Sequence, residues 1–367
     1  MKVLSRYLVR QNLFLLFIIL LTGTGLYLLT DLFERLDNFL DAGLGIGMVL
    51  SYLLVKIPLI ISQILPAVFF LSLVLQLNFL ERSRELMALN AGGVSPFVIL
   101  RFILVYSLIW AGGQLLFSQV IGVAGEQQAQ RMWEEDVKGR SREDATLKGL
   151  WFTEGNIIAH IGLSYPAQGR GENIQAYKLD AAGLSITEII RAATFSIVDG
   201  KWILSDGEIL TPASYSGMPF ATYELPIHQD LRTFQLGGAR LKRVAQLSLL
   251  ELSDNIERLQ LAGSNVESLR TVWHGKMAYA ASLIVLGMLA LVVSNVTGNI
   301  YKAVALSLVI AFLYFSLNTL GLSMGEKGIL PPAVAAWLAN IFFSCAGLLR
   351  LFLPGLRRWL KNLGKPA

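Results

Sequence analysis

Six long stretches with almost no charge dominate this sequence: residues 13–29, 57–80, 96–124, 277–293, 303–324 and 331–353. A helix needs about 20 apolar residues to cross hydrocarbon. Lipid offers no partner for free backbone groups, so such stretches are expected to be helical. Six spans follow. The overall balance agrees: 16% of residues are charged, against about 25% in a typical soluble chain, and the mean hydropathy is +0.55. The second stretch is the least regular, because Pro58 and Pro66 fall inside it. Proline removes a helical hydrogen bond and kinks the helix. The first stretch follows Lys2, Arg6 and Arg10, as a secretory leader would. But "TGTGLYLLTDLFERL" has no small-x-small cleavage site before its charges, so a retained span is expected.

Lysine and arginine in the short loops set the orientation. One side receives Lys2, Arg6, Arg10, Arg82, Arg84, Arg101, Lys302, Arg350, Arg357, Arg358, Lys361 and Lys365; the other receives Arg35 and Lys327. The first side is expected to be cytoplasmic, with both termini on it. The net charge of +5 is then mostly topology and gives no reason to expect nucleic acid. The domain plan is a membrane half over 1–124, an external β-rich domain over 125–271, and a second membrane half over 272–367 with a basic tail.

The external segment opens with a polar helical stretch and then changes character. "GLWFTEGNIIAHIGLSY", "ENIQAYKLD", "EIIRAATFSIVDGKWILSDGEIL" and "FATYELPI" are rich in β-branched and aromatic residues and are split by Gly, Asp, Asn and Pro. That pattern predicts antiparallel strands. Asp199-Gly200 between alternating apolar residues predicts a hairpin. A small sandwich, jelly roll or open barrel would satisfy it. Leu250, Leu252, Ile256, Leu259 and Leu261 then predict an amphipathic helix over 247–263, ending at Gly263.

Several chemistries have no residues to carry them. The sequence has no G-x-x-x-x-G-K-[ST], no H-E-x-x-H and no G-x-S-x-G. His160, His228 and His274 are scattered, and Cys345 is the only cysteine. Lys56 and Arg101 are placed to snorkel from span ends. An ion-driven carrier usually holds acidic or histidine groups well inside its spans. Any work this chain does is therefore expected to draw energy from elsewhere.

The stretch "ERSRELMALNAGG", 81–93, lies between the second and third spans. The positive-inside pattern puts it in the cytoplasm. It reads as a short helix with Glu81, Arg82, Arg84 and Glu85 as its charges and Leu86, Met87 and Leu89 as its apolar side. It can be an interfacial helix end or a docking helix for a cytoplasmic partner.

These features together resemble the YjgP/YjgQ family, the LptF and LptG permeases of the lipopolysaccharide-exporting ABC transporter. The local markers are "RYLVRQ" at 6–11, "ERSRELMALNAGGVSP" at 81–96, "GEQQA" at 125–129, "GLWF" at 149–152 and "ILPPAVAAWLAN" at 329–340. "GEQ" and "GLW" look more like LptG than LptF. The resemblance implies a polytopic α-helical membrane protein with a three-plus-three arrangement of spans and an inserted all-β, jelly-roll-like periplasmic domain. It implies a bacterial inner-membrane location. It makes residues 81–93 a coupling helix, with Glu85 at the acidic position that keys it to a separate ATPase and Arg84, Leu86, Met87, Leu89 and Gly92 around it. The chain itself would be non-catalytic and hold no cofactor; ATP and magnesium would belong to an LptB-like ATPase dimer. The other implied partners are an LptF-like six-span subunit, LptA-like bridge and LptC-like single-span proteins, and lipopolysaccharide.

On the substrate path, Ile157, Ile161, Phe195, Ile197, Trp202 and Leu204 are expected to face into the β-domain, to shelter acyl chains or simply to form its core. Trp151 and Phe152 are adjacent, so only one of them can join that face. LptG members can carry lysines just beyond the first span, near the entry of lipid phosphates. Here "TDLFERLDNFLDAG" sets Asp31, Glu34, Asp37 and Asp41 against Arg35 alone. That leaves Arg35 and Arg131 as head-group candidates. The competing reading is a membrane-anchored periplasmic scaffold without transport activity.

Overall fold

The computed structural model describes residues 2–93, 95–137, 146–180, 185–198, 200–212, 216–227, 247–261 and 265–363. Nine α-helices and six strands are assigned among them. The first helices are α1 (Lys2–Asp41), α2 (Ile46–Arg82), α3 (Glu85–Ala91) and α4 (Pro96–Phe117). A π-helical turn, Ser118–Gly122, joins α4 to α5 (Val123–Met132), and a second, Trp133–Val137, follows. The strands are β1 (Leu147–Glu154), β2 (Ile157–Tyr165), β3 (Arg170–Leu179), β4 (Ile186–Val198), β5 (Lys201–Thr211) and β6 (Ser216–Leu225). Then come α6 (Leu249–Leu261), α7 (Glu267–Thr297), α8 (Ile300–Glu326) and α9 (Pro332–Leu363). The chain divides into two compact units, Met1–Ala129 with Thr271–Ala367, and Gln130–Arg270.

The first unit carries helices from all six apolar stretches, each long and apolar enough to cross a membrane. Its centre is α7 and α2. In the most apolar window of each, 72% of α7 and 56% of α2 is buried, against 11% of α1. The core joins Phe69, Phe70, Leu73 and Val74 of α2 to Ile103 of α4 and Leu286 of α7. Several polar side chains inside it are paired across helices, which offsets the cost of burying them. Tyr106 Oη donates to Asn12 Oδ1 at 3.0 Å, and Asn12 Nδ2 donates to Ser72 Oγ at 3.2 Å. Gln76 Nε2 donates to the Leu8 carbonyl at 2.7 Å. These bonds knit α1 to α2 and α4. Among the last three spans, Tyr314 Oη donates to Asn340 Oδ1 at 2.6 Å, and Asn340 Nδ2 donates to the Ala278 carbonyl at 2.8 Å. Gly321 and Gly325, four apart on α8, let α9 come close: a Cβ on Gly321 would stand 2.4 Å from the Ala335 carbonyl oxygen. This is the small-x-x-x-small spacing of packed membrane helices.

In the second unit the strands form one antiparallel sheet in the order β1-β2-β3-β4-β5-β6. The inserted β-rich region is present as expected. Among the described residues its order is an up-and-down meander, without the crossovers of a jelly roll, because each strand pairs with the next in sequence. The sheet is nevertheless rolled. β1 and β5 are four strands apart, about 19 Å across a flat sheet, yet the rings of Phe152 and Trp202 are 5.7 Å apart. Two devices favour the roll. Asn173 and Asp206 sit mid-strand in left-handed backbone, φ 56° and 55°, where one pair drops out of the ladder while the register on either side is kept, and such a residue breaks the straight run of its strand. Phe195 and Phe220 cover Gly171 and Gly207 on the neighbouring strands, so closely that a Cβ there would stand 2.5 and 2.4 Å from a ring carbon. The expected Asp-Gly hairpin joins β4 to β5; Gly200 takes φ 77°, while Asp199 lies outside the described residues.

The amphipathic helix appears as α6, and its start is set by Ser248. The Glu251 carboxylate accepts from the Ser248 N–H at 2.7 Å, and Ser248 Oγ accepts from the Glu251 N–H at 3.3 Å, a reciprocal cap. Leu252 and Leu259 are buried, while Leu250 and Leu261 are exposed, so the apolar face is narrower than the run of leucines implied. Gly263 and His228 lie outside the described residues, as does Lys365.

Candidate functional site

The junction of α2 and α3 is built by a break in the helix. Ser83 caps α2, its N–H bonded to the Phe79 carbonyl at 2.9 Å. Arg84 then takes φ 60°, a left-handed conformation that few non-glycine residues adopt. That single residue redirects the chain into α3. The helix ends where the Gly92 N–H meets the Ala88 carbonyl at 2.9 Å and Gly93 takes φ 83°. The expected helix over 81–93 is thus shorter: Glu81 and Arg82 belong to the last turn of α2.

α3 has two sides. Leu86 is half-buried against the membrane core. Leu89 lines a crevice with Leu8, Gln76, Leu80, Ile99 and Phe102. The expected apolar trio is therefore split: Leu86 and Leu89 root the helix in its own bundle, and Met87 points away at 68% exposed. Arg84 and Gly92 are also exposed. Glu85 is half-buried, and both of its oxygens are engaged. Tyr7 Oη donates to Oε2 at 2.9 Å, and Ser83 Oγ donates to Oε1 at 3.0 Å. Both donors are neutral, so they orient the carboxylate without cancelling its charge.

Arg35 sits in a different environment. Its Nε donates to Asp31 Oδ1 at 3.0 Å. Lys56 Nζ reaches the same oxygen at 2.5 Å and lies 3.4 Å from Tyr52 Oη. Both cations also face the Tyr52 ring, at 5.8 and 5.5 Å from its centroid. Two expectations change here. Lys56 does not snorkel; it is buried, at 7% exposed. And the acidic stretch after the first span is not opposed by Arg35 alone, because α2 supplies a second cation. The sequence signal was the lone lysine inside an apolar run, which needed an anion on another helix. Asp31 is likewise buried, and its Oδ2 has no hydrogen-bond partner.

The "GEQ" segment marks a close helix approach. A Cβ on Gly125 would stand 2.9 Å from the Val55 carbonyl and 3.6 Å from Pro58, so glycine is what lets α5 meet the proline-bearing part of α2. Arg131 is exposed near the end of α5.

In the sheet, Phe152, Ile157, Phe195 and Trp202 all lie on the buried face, with Trp202 stacked on Phe195 at 4.9 Å. Ile161 and Leu204 join them, and Ile197 is half-buried. Trp151 is the outward member of its pair, 56% exposed. Its ring lies 4.4 Å from that of His160, tilted by 33°, and runs parallel to the Tyr177 ring at 6.3 Å. That outward aromatic row across β1, β2 and β3, with Trp151 exposed and His160 and Tyr177 half-buried, had no signal in the sequence, because strand register was needed to align it.

Six membrane-crossing helices, an inserted antiparallel sheet and a short helix rooted between the second and third spans define a polytopic membrane protein with a β-rich insertion. Residues 6–353 match the family described as lipopolysaccharide export system permease LptF/LptG, and the chain belongs to that family. The match runs through both membrane halves and the sheet. No curated protein matches the chain in a sequence search.

Proposed function

We propose that this chain is a permease subunit of an ABC transporter that lifts lipopolysaccharide from the bacterial inner membrane towards a periplasmic bridge, with ATP hydrolysed by a separate cytoplasmic ATPase dimer. The observation that carries the reading is the α2–α3 junction. A helix is rooted in the bundle by Leu86 and Leu89 while Met87 is exposed and the half-buried Glu85 carboxylate is held by two neutral hydroxyls. An apolar knob beside an oriented charge is what a docking groove can grip. The absence of a P-loop in the sequence supports a supply of energy in trans.

The lysine and arginine distribution supports cytoplasmic termini and a cytoplasmic α3, with 125–271 periplasmic. A homologous six-span chain would close the lipid cavity. The "GEQ" and "GLW" segments support an LptG-like role for this chain and an LptF-like partner. LptA-like bridge and LptC-like subunits would receive the lipid from the sheet, and β1 and β6, each paired to one neighbour among the described residues, offer edges for strand addition. The buried face around Phe152, Phe195 and Trp202 could take acyl chains only by opening. Arg35 and Arg131 remain the head-group candidates, Arg35 with its charge partly spent on Asp31.

The test is co-purification of the ATPase with Glu85→Arg and Met87→Asp, scored beside lipid release from liposomes. Loss of ATPase from either variant, with the membrane bundle intact, is expected. Retention of ATPase and full lipid release in both would rule the docking role out and leave the scaffold reading.

A further inference from the structure

We infer that Tyr7 is a positioning residue for α3: its hydroxyl fixes the Glu85 carboxylate and makes α1 the element through which a push on α3 is transmitted. The inference rests on the reading that α3 docks an ATPase.

α3 has seven residues, too few to hold a helix or a direction by itself. Leu86 and Leu89 anchor it, but apolar contact is not directional. The Tyr7 bond is directional, and it is the contact that distinguishes this tyrosine. The residue is 44% exposed, so burial alone gives no reason for a hydroxyl at this place. A carboxylate offers about four lone-pair sites. Tyr7 and Ser83 take one each, one on either oxygen. A cationic group on a partner can therefore pair with Glu85 without displacing Tyr7, so docking and tethering coexist.

The path beyond Tyr7 is on the same helix. Leu8 lends its carbonyl to Gln76, and its side chain lines the crevice that holds Leu89. Asn12, one turn further, is bonded to Ser72 and Tyr106. A displacement at Glu85 thus reaches the segment 7–12, which is fastened across α2 and α4. The apolar window of α1 is the least buried of the six, so between the segment 7–12 and the Asp31 tie α1 is the span least held by packing. Rigid helices convey such shifts to their far ends.

The experiment reconstitutes the full complex in liposomes containing lipopolysaccharide and measures ATP hydrolysis and lipid release together. Tyr7→Phe is expected to lower the lipid released per ATP by about two- to tenfold, the range a single hydrogen bond supports, with the yield of assembled complex unchanged. Glu85→Asp keeps the charge but withdraws it from Tyr7. On that background Tyr7→Phe is expected to add nothing, because both changes remove one interaction. An unchanged ratio in Tyr7→Phe overturns the inference. So do effects that multiply in the double variant, and so does a loss of assembly with an unchanged ratio, which would make Tyr7 a packing residue. If Glu85→Arg leaves ATPase binding and lipid release intact, the docking reading falls and takes the inference with it. If Glu85→Arg uncouples the complex and Tyr7→Phe does not, only the inference falls.

Discussion

Two carboxylates bind α1 to its surroundings, and they are built in opposite ways. Glu85 meets Tyr7 near the start of α1; it is half-buried and held by two neutral hydroxyls. Asp31, on α1 itself, is buried and held by two cations, one from its own helix and one from α2. Tyr7 and Asp31 are about 36 Å apart along the helix, a little more than the thickness of the hydrocarbon layer. The two contacts therefore bracket the apolar part of α1. Their chemistry separates their roles. Asp31 has its charge satisfied from within and is a structural tie. Glu85 meets only neutral hydroxyl donors, which fix its orientation without supplying a countercharge, and that is what a contact for another molecule needs.

The sharpest way to break this contrast is to remove each carboxylate in turn. Asp31→Ala leaves Lys56 buried without its anion, and is expected to lower the stability of the membrane unit by about 3 to 5 kcal/mol. The double change Asp31→Leu with Lys56→Met removes both charges and is expected to recover most of that loss. Thermal unfolding in detergent would read both. Equal instability in the single and double variants would mean that Asp31 does not act through Lys56. Glu85→Ala is expected to change stability by less than about 1 kcal/mol, since it deletes only hydrogen bonds between neutral donors and a partly exposed group. Its effect belongs in ATPase binding, and a large fall in melting temperature would make it a second structural tie.

The contrast also explains which parts of the molecule were legible in the sequence. Length and apolar content are enough to mark spans, and all six stretches lie in helices. Alternation marked the strands, and parity alone limited Trp151 and Phe152 to one inward residue. What stayed hidden depends on contacts between segments far apart in sequence. Lys56 read as a snorkelling lysine because its anion lies 25 residues away on another helix. Tyr7 looked like part of a marker motif, because its partner is 78 residues distant. The division of Leu86, Met87 and Leu89 into inward and outward residues needed the direction of α3. That direction depends on Arg84, whose left-handed backbone no propensity predicts.

Arg84 offers a smaller test of the same junction. A left-handed arginine costs about 1 kcal/mol relative to glycine there. Arg84→Gly is expected to leave stability unchanged or slightly raised. Arg84→Val, whose branched Cβ fits that region worst, is expected to cost about 1 to 3 kcal/mol and to loosen α3. Comparing ATPase retention in the two separates backbone from charge. If both lose the ATPase equally, the guanidinium of Arg84 is itself part of the docking surface.

The smallest effect concerns charge pairing without burial. On the sheet, Lys201 Nζ and Glu224 Oε1 are 2.8 Å apart, but both side chains are more than half exposed. The hydrogen bond and charge of Glu224 raise the Lys201 pKa above its ordinary value. A raised lysine pKa means the folded form holds its proton more tightly than the unfolded chain does. The pair's contribution is therefore fully present below about pH 10.5, the value of an unpaired lysine, and is lost as pH climbs through the raised folded value. Lys201→Met is expected to change the unfolding midpoint only slightly at neutral pH. The difference from the unaltered protein should shrink further above pH 10.5, and at neutral pH in high salt, where exposed pairs are screened. A loss on the scale of Asp31→Ala would show that pairing alone, and not burial, sets the strength of these ties.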